Sequence, residues 1–313
     1  MQVTHGTVKR VGGPVALTIG NFDGVHLGHR AMLARVAEQA RAQGLAGAAL
    51  TFEPHPREFF VPAVAPARLS RLREKLELIA EAGIARTHVL RFDAALAAMG
   101  PEAFIDDVLV AGLGARWLLV GRDFRFGAKR AGDYALLAQA AQRRGFTLEA
   151  MPDVLLDGTR VSSSRVRAAL AAGRLDEAAR LLGRPYTMSG RVAHGAKLGR
   201  KLGFPTANVI LRRQPPLMGI FAVEGELEEK EPGRRTLRRG VASVGRRPTV
   251  AENGPMLLEV HFFDLSGELY GRHLRVRFLE KLRDEEKFDS MQALTTAIRR
   301  DAEQARQYFR AHG

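Results

Sequence analysis

Thr18-Ile-Gly-Asn-Phe-Asp-Gly-Val-His-Leu-Gly-His-Arg30 decides the first half of the fold. The residues before it, Pro14 to Gly20, read as a β-strand that stops at a glycine. Asn21-Phe22-Asp23-Gly24 then has the composition of a tight turn. Beyond it Leu33, Val36, Ala37 and Ala40 recur on one helical stripe, which predicts a helix over about 27–43 with those residues in the core. Strand, glycine turn and helix together make the first βα unit of an open parallel sheet, the type that binds ligands at its strand ends.

At a three-residue spacing His26 and His29 share one side of the first helical turn, beside unpaired backbone N–H groups and the positive end of the helix dipole. That environment suits a phosphate. Gly24 and Gly28 let the backbone approach a ligand, and Gly20, Asn21 and Asp23 complete the turn. Two histidines in isolation more often cap a helix and make structural hydrogen bonds. Their place directly after a strand and a glycine turn favours the anion.

Outward from this unit, β-rich runs alternate with amphipathic helical stretches. Strands are predicted at AGAALTFEP, Thr87–Phe92, Arg116–Gly121 and Phe146–Ala150, with helices from near Ser70, from Pro101 and over Asp133–Arg144. Short helices at Ser164–Ala172 and Leu175–Leu182 lead to Gly183-Arg184-Pro185, where the character changes. From Tyr186 to Phe278, β-prone runs such as FAVEGEL and HLRVRFL are broken by Gly, Pro and Asp, which predicts antiparallel strands closing into a small barrel. A final helix is expected over about Ser290–Phe309, and the domain boundary is placed between 184 and 185.

The 313 residues, 46% of them hydrophobic, suffice for two cores. No cysteine is present, so disulfides, thiolate nucleophiles and cysteine-ligated metals are excluded. No run of about 18 apolar residues and no leader pattern is seen, and a soluble, cytoplasmic protein is expected. The net charge of +14 suits nucleic acid, anionic lipid or phosphorylated small molecules. Its bases are dispersed, the densest group EEKEPGRRTLRR reads as a solvated hairpin, and interleaved aromatics are missing. Nucleic-acid binding is therefore the weaker reading, and no membrane partner is expected.

Four further segments carry polar groups suited to a nucleotide or a flat ring. VGRDFRFGAKRAGD places Asp123, Phe124 and Phe126 after a strand, where aromatic and polar groups can hold a flat ring. In TRVSSSRVRAAL, Arg160, Ser162, Ser163 and Ser164 precede a helix, where hydroxyls, N–H groups and a cation converge, although serines there can also be simple caps. Gly195, Lys197, Gly199 and Arg200 form a glycine-rich basic loop able to wrap phosphates, without the spacing of a Walker motif. Thr206 and Asn208 lie two apart on an extended chain, offering two neutral oxygens to a Mg²⁺ that completes its shell with ATP oxygens and water, or alternatively marking a turn.

TIGNFDGVHLGHR resembles the nucleotidyltransferase superfamily, and FEPHPREFF (52–60) resembles its flavin-specific branch. GRKLGFPTAN (199–208) resembles the riboflavin kinase signature, and RGVASVGRRPTV, LEVHFFDL and LRDEEKFDSMQAL follow in that family's order. Taken over the whole chain, the resemblance is to bacterial bifunctional riboflavin kinase/FMN adenylyltransferases. It implies a Rossmann-like nucleotidyltransferase domain over 1–184 and a riboflavin kinase barrel with a terminal helix over 185–313. It also implies ATP, riboflavin, FMN and FAD as substrates and products. Glu259 matches the family's catalytic base, on a strand where it and His261 point away from the apolar face. Arg283, Asp284, Glu286 and Phe288 match the segment that approaches the flavin, and the flat ring expected at Asp123, Phe124 and Phe126 is likewise a flavin. Ser243 and Val250 depart from the usual asparagine and aromatic. An adenylyltransferase for another phosphorylated metabolite is the rival within enzymology, disfavoured by Pro205-Thr206-Ala207-Asn208 together with Glu259.

Overall fold

The computed structural model describes residues 1–7, 12–194, 203–228, 235–246, 256–264 and 269–312. They form two compact units, one of residues 1–66 and 72–162 and the other of residues 67–71 and 163–313.

In the first unit the elements run β1 (Gln2–His5), β2 (Val15–Ile19), α1 (Leu27–Ala42), β3 (Ala46–Glu53), α2 (Pro56–Phe60), α3 (Leu72–Glu81), β4 (Arg86–Arg91), α4 (Ala94–Ala98) and α5 (Pro101–Ala103). A π-helical stretch, Phe104–Gly112, continues α5. Then come β5 (Ala115–Gly121), α6 (Tyr134–Arg144), β6 (Thr147–Met151) and the hairpin β7 (Leu155–Leu156) and β8 (Thr159–Arg160). Six strands make one parallel sheet in the order β1-β4-β3-β2-β5-β6.

Successive strand residues face opposite sides, so a strand covered on both faces is apolar throughout, and every residue of β2 is buried. Val15, Leu17 and Ile19 pack with Leu118, Val120 and the π-helical Ile105 and Leu109. Ala16 faces the other way, with Trp117, Leu119 and the α1 residues Leu33 and Val36. The chain winds from β2 outward through β3 and β4, then returns to β5 on the other side of β2. The order therefore reverses between β2 and β5, and a crevice opens at their carboxyl ends. The parallel α/β expectation holds. Sequence periodicity did not reveal the polar edge strand β1, the π-helix or the β7–β8 hairpin.

The second unit contains α7 (Ser163–Ala171), α8 (Leu175–Leu182), β9 (Tyr186–Arg191), β10 (Ala207–Leu211), β11 (Gly219–Glu228), β12 (Arg235–Arg246), β13 (Met256–Phe262), β14 (His273–Arg283) and α9 (Met291–His312). The strands pair antiparallel in the order β10-β13-β12-β11-β14-β9. Ala193, just past β9, donates its N–H to the Asn208 carbonyl at 2.7 Å, which brings the two ends of the sheet together as a nearly closed barrel. Helix α9 lays Ala302, Ala305 and Phe309 against Ile220, Ala222, Val241 and Phe263 on the barrel wall. Barrel and terminal helix are as expected.

Candidate active sites

The turn after β2 is backbone-strained. Phe22 and Val25 take positive φ of 48° and 40°, a region that side chains rarely adopt, on either side of Gly24 at 80°. Each non-glycine case costs on the order of 1–3 kcal/mol and persists only where its surroundings fix it. Both side chains are fully buried, and Val25 N–H donates to the Phe22 carbonyl at 3.2 Å. The strain turns the chain so that His26 caps α1. Its Nδ1 accepts from the His29 N–H at 3.3 Å, and its ring stacks on the His29 ring with centroids 3.7 Å apart. The capping expected of an isolated histidine pair is present, made by His26 while its ring stacks on His29.

His29 also meets Phe22 edge-on at 5.2 Å, and its Nδ1 is buried without a hydrogen-bond partner. Burial, followed by the charges of His26 and Lys75, holds its pKa well below the ordinary imidazole value. A neutral imidazole can donate to a phosphoryl oxygen while the stacked pair avoids two adjacent charges.

The turn after β5 carries Asp123, which is ion-paired to Arg160 of β8 at 2.8 Å; Arg160 also reaches Asp153 at 3.0 Å. Hydrogen bonding to Arg160 lowers the Asp123 pKa, and the same bond raises that of Arg160. Both side chains are about half exposed or more, so a ligand anion could compete for the guanidinium. Phe124 stacks on Phe126 at 5.5 Å, and Phe126 packs into the core against Phe104 at 5.6 Å. Phe124 is thus the accessible ring, and Phe126 its support. Ser162 closes the first unit, while Ser163 and Ser164 open α7 in the second.

FEPHPREFF forms an aromatic cluster. Phe59 and Phe60, 38% and 60% exposed, meet Phe92 at 5.5 and 5.6 Å, and Phe52 meets it at 6.0 Å. His55 is a cap here: its Nδ1 accepts from the Arg57 N–H, and Glu58 accepts from the His55 N–H.

In the barrel, Glu259 on β13 stands opposite both Asn208 on β10 and Ser243 on β12, so three polar residues form one rank across three strands. Asn208 is buried. Its amide nitrogen donates to the Thr206 carbonyl at 3.2 Å, and its Oδ1 has no hydrogen-bond partner. The same nitrogen also donates to Thr206 Oγ1 at 3.4 Å, and the orphaned buried amide oxygen is a ligand of the kind that a hard cation takes. His261 Nδ1 donates to the Pro205 carbonyl at 3.0 Å and holds this loop against β13.

Glu285 enters the same rank. Its carboxylate accepts from Ser243 Oγ at 3.2 Å and covers the Gly245 backbone so closely that a Cβ there would lie 1.8 Å from Oε2. Burial raises the Glu285 pKa; the Ser243 bond opposes this, Glu259 adds to it and Arg283 opposes it. Arg283 donates through Nε and Nη2 to Asp301 and through Nη1 to the Asp284 carbonyl, with its guanidinium 5.7 Å from the Phe288 ring. Its donors are turned toward the protein. A cavity of about 450 Å³ at the start of α9 is lined by Glu286, Phe288, Ser290, Gln292, Thr296 and Arg300. Gly195, Lys197, Gly199, Arg200 and Val250 lie outside the described residues.

Residues 9–165 match the FAD synthetase family and residues 182–309 match the riboflavin kinase family. The bifunctional riboflavin kinase/FMN adenylyltransferase of Pseudomonas fluorescens is 49% identical over 92% of this chain and 91% of its own. The chain belongs to the bifunctional riboflavin kinase/FMN adenylyltransferase family. Proteins of the same description from Escherichia coli (strain K12) and Haemophilus influenzae are 48% and 44% identical, over 94% and 99% of this chain and 92% and 99% of their own. A solved structure titled a macrolide-efflux protein from Streptococcus pneumoniae superposes with a TM-score of 0.80 at 26% identity, covering 98% of this chain and 99% of that one. Among the described residues no helix is long and apolar enough to cross a membrane.

Both reactions of a riboflavin kinase/FMN adenylyltransferase use ATP, and such enzymes work with a divalent metal. Sequence reasoning missed Glu285 and Asp301 around the barrel rank, and saw the direction of His261 without its bond to Pro205. Glu285 stands in a run of charges, RDEEK, that reads as a solvated surface. Asp301 carried a signal, an acid on the apolar stripe of the last helix between Ala297 and Ala305.

Proposed function

We propose that the family's two activities are divided along the chain, with riboflavin phosphorylated by ATP in residues 185–313 and FMN adenylylated by a second ATP in residues 1–184. The carrying observation is that each unit holds its own chemically distinct cluster: a stacked histidine pair on a strained turn in one, and a Glu–Asn–Ser rank with an orphaned amide oxygen in the other.

In the barrel, Glu259 accepts the proton of the riboflavin 5′-hydroxyl as that oxygen attacks the γ-phosphorus and the bond to ADP breaks. Thr206 and Asn208 would hold Mg²⁺, which supplies charge neutralisation to the ATP phosphates. The basic, glycine-rich composition of Gly195, Lys197, Gly199 and Arg200 supports a role in binding those phosphates. Asp284, Glu286 and Phe288 receive the flavin beside the cavity at α9, with Arg283 fixing their segment.

In the first domain, a phosphate oxygen of FMN attacks the α-phosphorus of ATP, and pyrophosphate leaves. His26 and His29 donate to oxygens that gain charge in this step, while the backbone of Gly20, Asn21, Asp23, Gly24 and Gly28 leaves room for the phosphates. Arg160 and the hydroxyls of Ser162, Ser163 and Ser164 bind the anionic oxygens, with Asp123 releasing Arg160 to them. Phe124 and the exposed Phe59 and Phe60 offer faces to the isoalloxazine ring. The protein acts in the cytoplasm on small molecules, without nucleic acid or membrane as partner.

The test is chromatographic. Protein incubated with riboflavin, ATP and Mg²⁺ should form FMN first and FAD later. FMN alone would leave the first domain without its assigned activity, and no conversion would overturn both assignments.

A further inference from the structure

A lysine lies buried behind the histidine turn. Lys75 of α3 is 1% exposed, and its ammonium donates to Thr51 Oγ1 at 3.2 Å. That hydroxyl, also fully buried, donates onward to the Asn21 carbonyl at 3.2 Å. The relay thus links a cation on α3, through the end of β3, to the first residue of the turn in which Phe22 and Val25 hold positive φ. Hydrogen bonds in series polarise one another, so an ammonium at the head strengthens the grip on Asn21.

A turn with two strained non-glycine residues persists only where its surroundings hold it, and the Thr51 hydroxyl is one such restraint from outside the turn. Desolvating a lysine is costly, and a purely apolar residue would fill the space at less expense. The position rewards the charge itself. Its field reaches His29, which also feels His26, stacked on the ring; Asp23 is buried in the same turn.

We infer that Lys75 is a positioning residue of the adenylyl-transfer site, holding the Asn21 turn in its ligand-binding shape through Thr51 and keeping a positive charge behind the histidine pair where anionic phosphates arrive. The inference rests on the assignment of adenylyl transfer to the first domain.

The experiment uses the full-length chain with Lys75→Met, Lys75→Arg and Thr51→Val, following FMN adenylylation, riboflavin phosphorylation and the His29 titration by NMR. Lys75→Met should lower kcat/KM for ATP in adenylylation at least tenfold and raise the His29 titration midpoint, with riboflavin phosphorylation at the wild-type rate. Lys75→Arg should recover part of the loss. Thr51→Val should raise KM for ATP several-fold while leaving the His29 midpoint in place, because the cation stays. A wild-type adenylylation rate in Lys75→Met, or an unmoved His29 midpoint, overturns the inference. If Lys75→Met does not fold, Thr51→Val decides alone, and a wild-type KM overturns it. Full adenylylation by His29→Ala would instead overturn the site assignment itself, which separates the two failures.

Discussion

Arg283 and Asp301 meet as a fork, Nε and Nη2 of the guanidinium donating to Oδ1 and Oδ2 at 2.9 and 2.7 Å, with 16% and 4% of the two side chains exposed. The pair ties the end of β14 to the middle of α9 and so fixes the segment that carries Asp284, Glu285, Glu286 and Phe288. Removing one partner of a pair this enclosed leaves an uncompensated charge. Asp301→Ala should destabilise the protein by about 3 kcal/mol in denaturant unfolding. A loss below about 1 kcal/mol would mean that solvent screens the pair like a surface bridge.

Glu259→Gln tests the proposed base. The amide keeps the size of the side chain and its rank beside Asn208 and Ser243 but takes up no proton. Riboflavin phosphorylation should fall by about 10²–10⁴-fold, the range for loss of a general base. Adenylylation of supplied FMN should continue at the wild-type rate. Equal loss of both activities in product analysis would argue against separate sites.

Much of this was legible in the sequence because chemistry and local structure coincide there. The histidines stand at a strand-to-helix turn whose glycines announce it, and Asn208 and Glu259 sit on strands whose alternation shows which way they point, with Thr206 just before the first of them. Lys75 was not legible. In LREKLELI it reads as one more charge on an amphipathic helix, and only tertiary packing turns it inward to Thr51. The edge strand β1 escaped for a related reason: Gln2-Val-Thr-His5 is polar, and its pairing with β4 bridges 84 residues of sequence. Asp123 and Arg160 were each visible as polar residues near a strand end, but their ion pair depends on how the β7–β8 hairpin returns to the sheet.

Gly245 leaves the Glu285 carboxylate its place over the β12 backbone. Its φ is not in the left-handed region, but a Cβ would meet both oxygens of Glu285 at under 2 Å. Gly245→Ala should therefore push Glu285 off Ser243 and raise KM for riboflavin about tenfold, the equivalent of one lost hydrogen bond to a charged group. Glu285→Ala should produce a similar change, and adding Gly245→Ala to it should then cost little, since the clash is gone. Additive losses in the double variant would show that Gly245 acts independently of Glu285.

Acid should weaken the first unit through two histidines. His29 is held below the ordinary value of 6.5 by burial, His26 and Lys75, and His88 by burial, against the pull of the Gly6 carbonyl and with a small contribution from His5. Both are neutral when folded at a pH where the unfolded chain already binds their protons. Their contribution is thus fully present above about pH 6.5 and is lost as the pH falls from there toward the folded values. Each histidine can account for up to about 1.4 kcal/mol per pH unit in that window. Unfolding free energies measured from pH 7.5 to 5 should be flat at the top and fall below 6.5, with a shallower fall in His88→Gln. That variant also loses the bonds to Thr4 Oγ1 at 2.8 Å and the Gly6 carbonyl at 3.0 Å, so it should be less stable at pH 7.5 yet less sensitive to acid. An unchanged slope would mean that His88 titrates alike in both states.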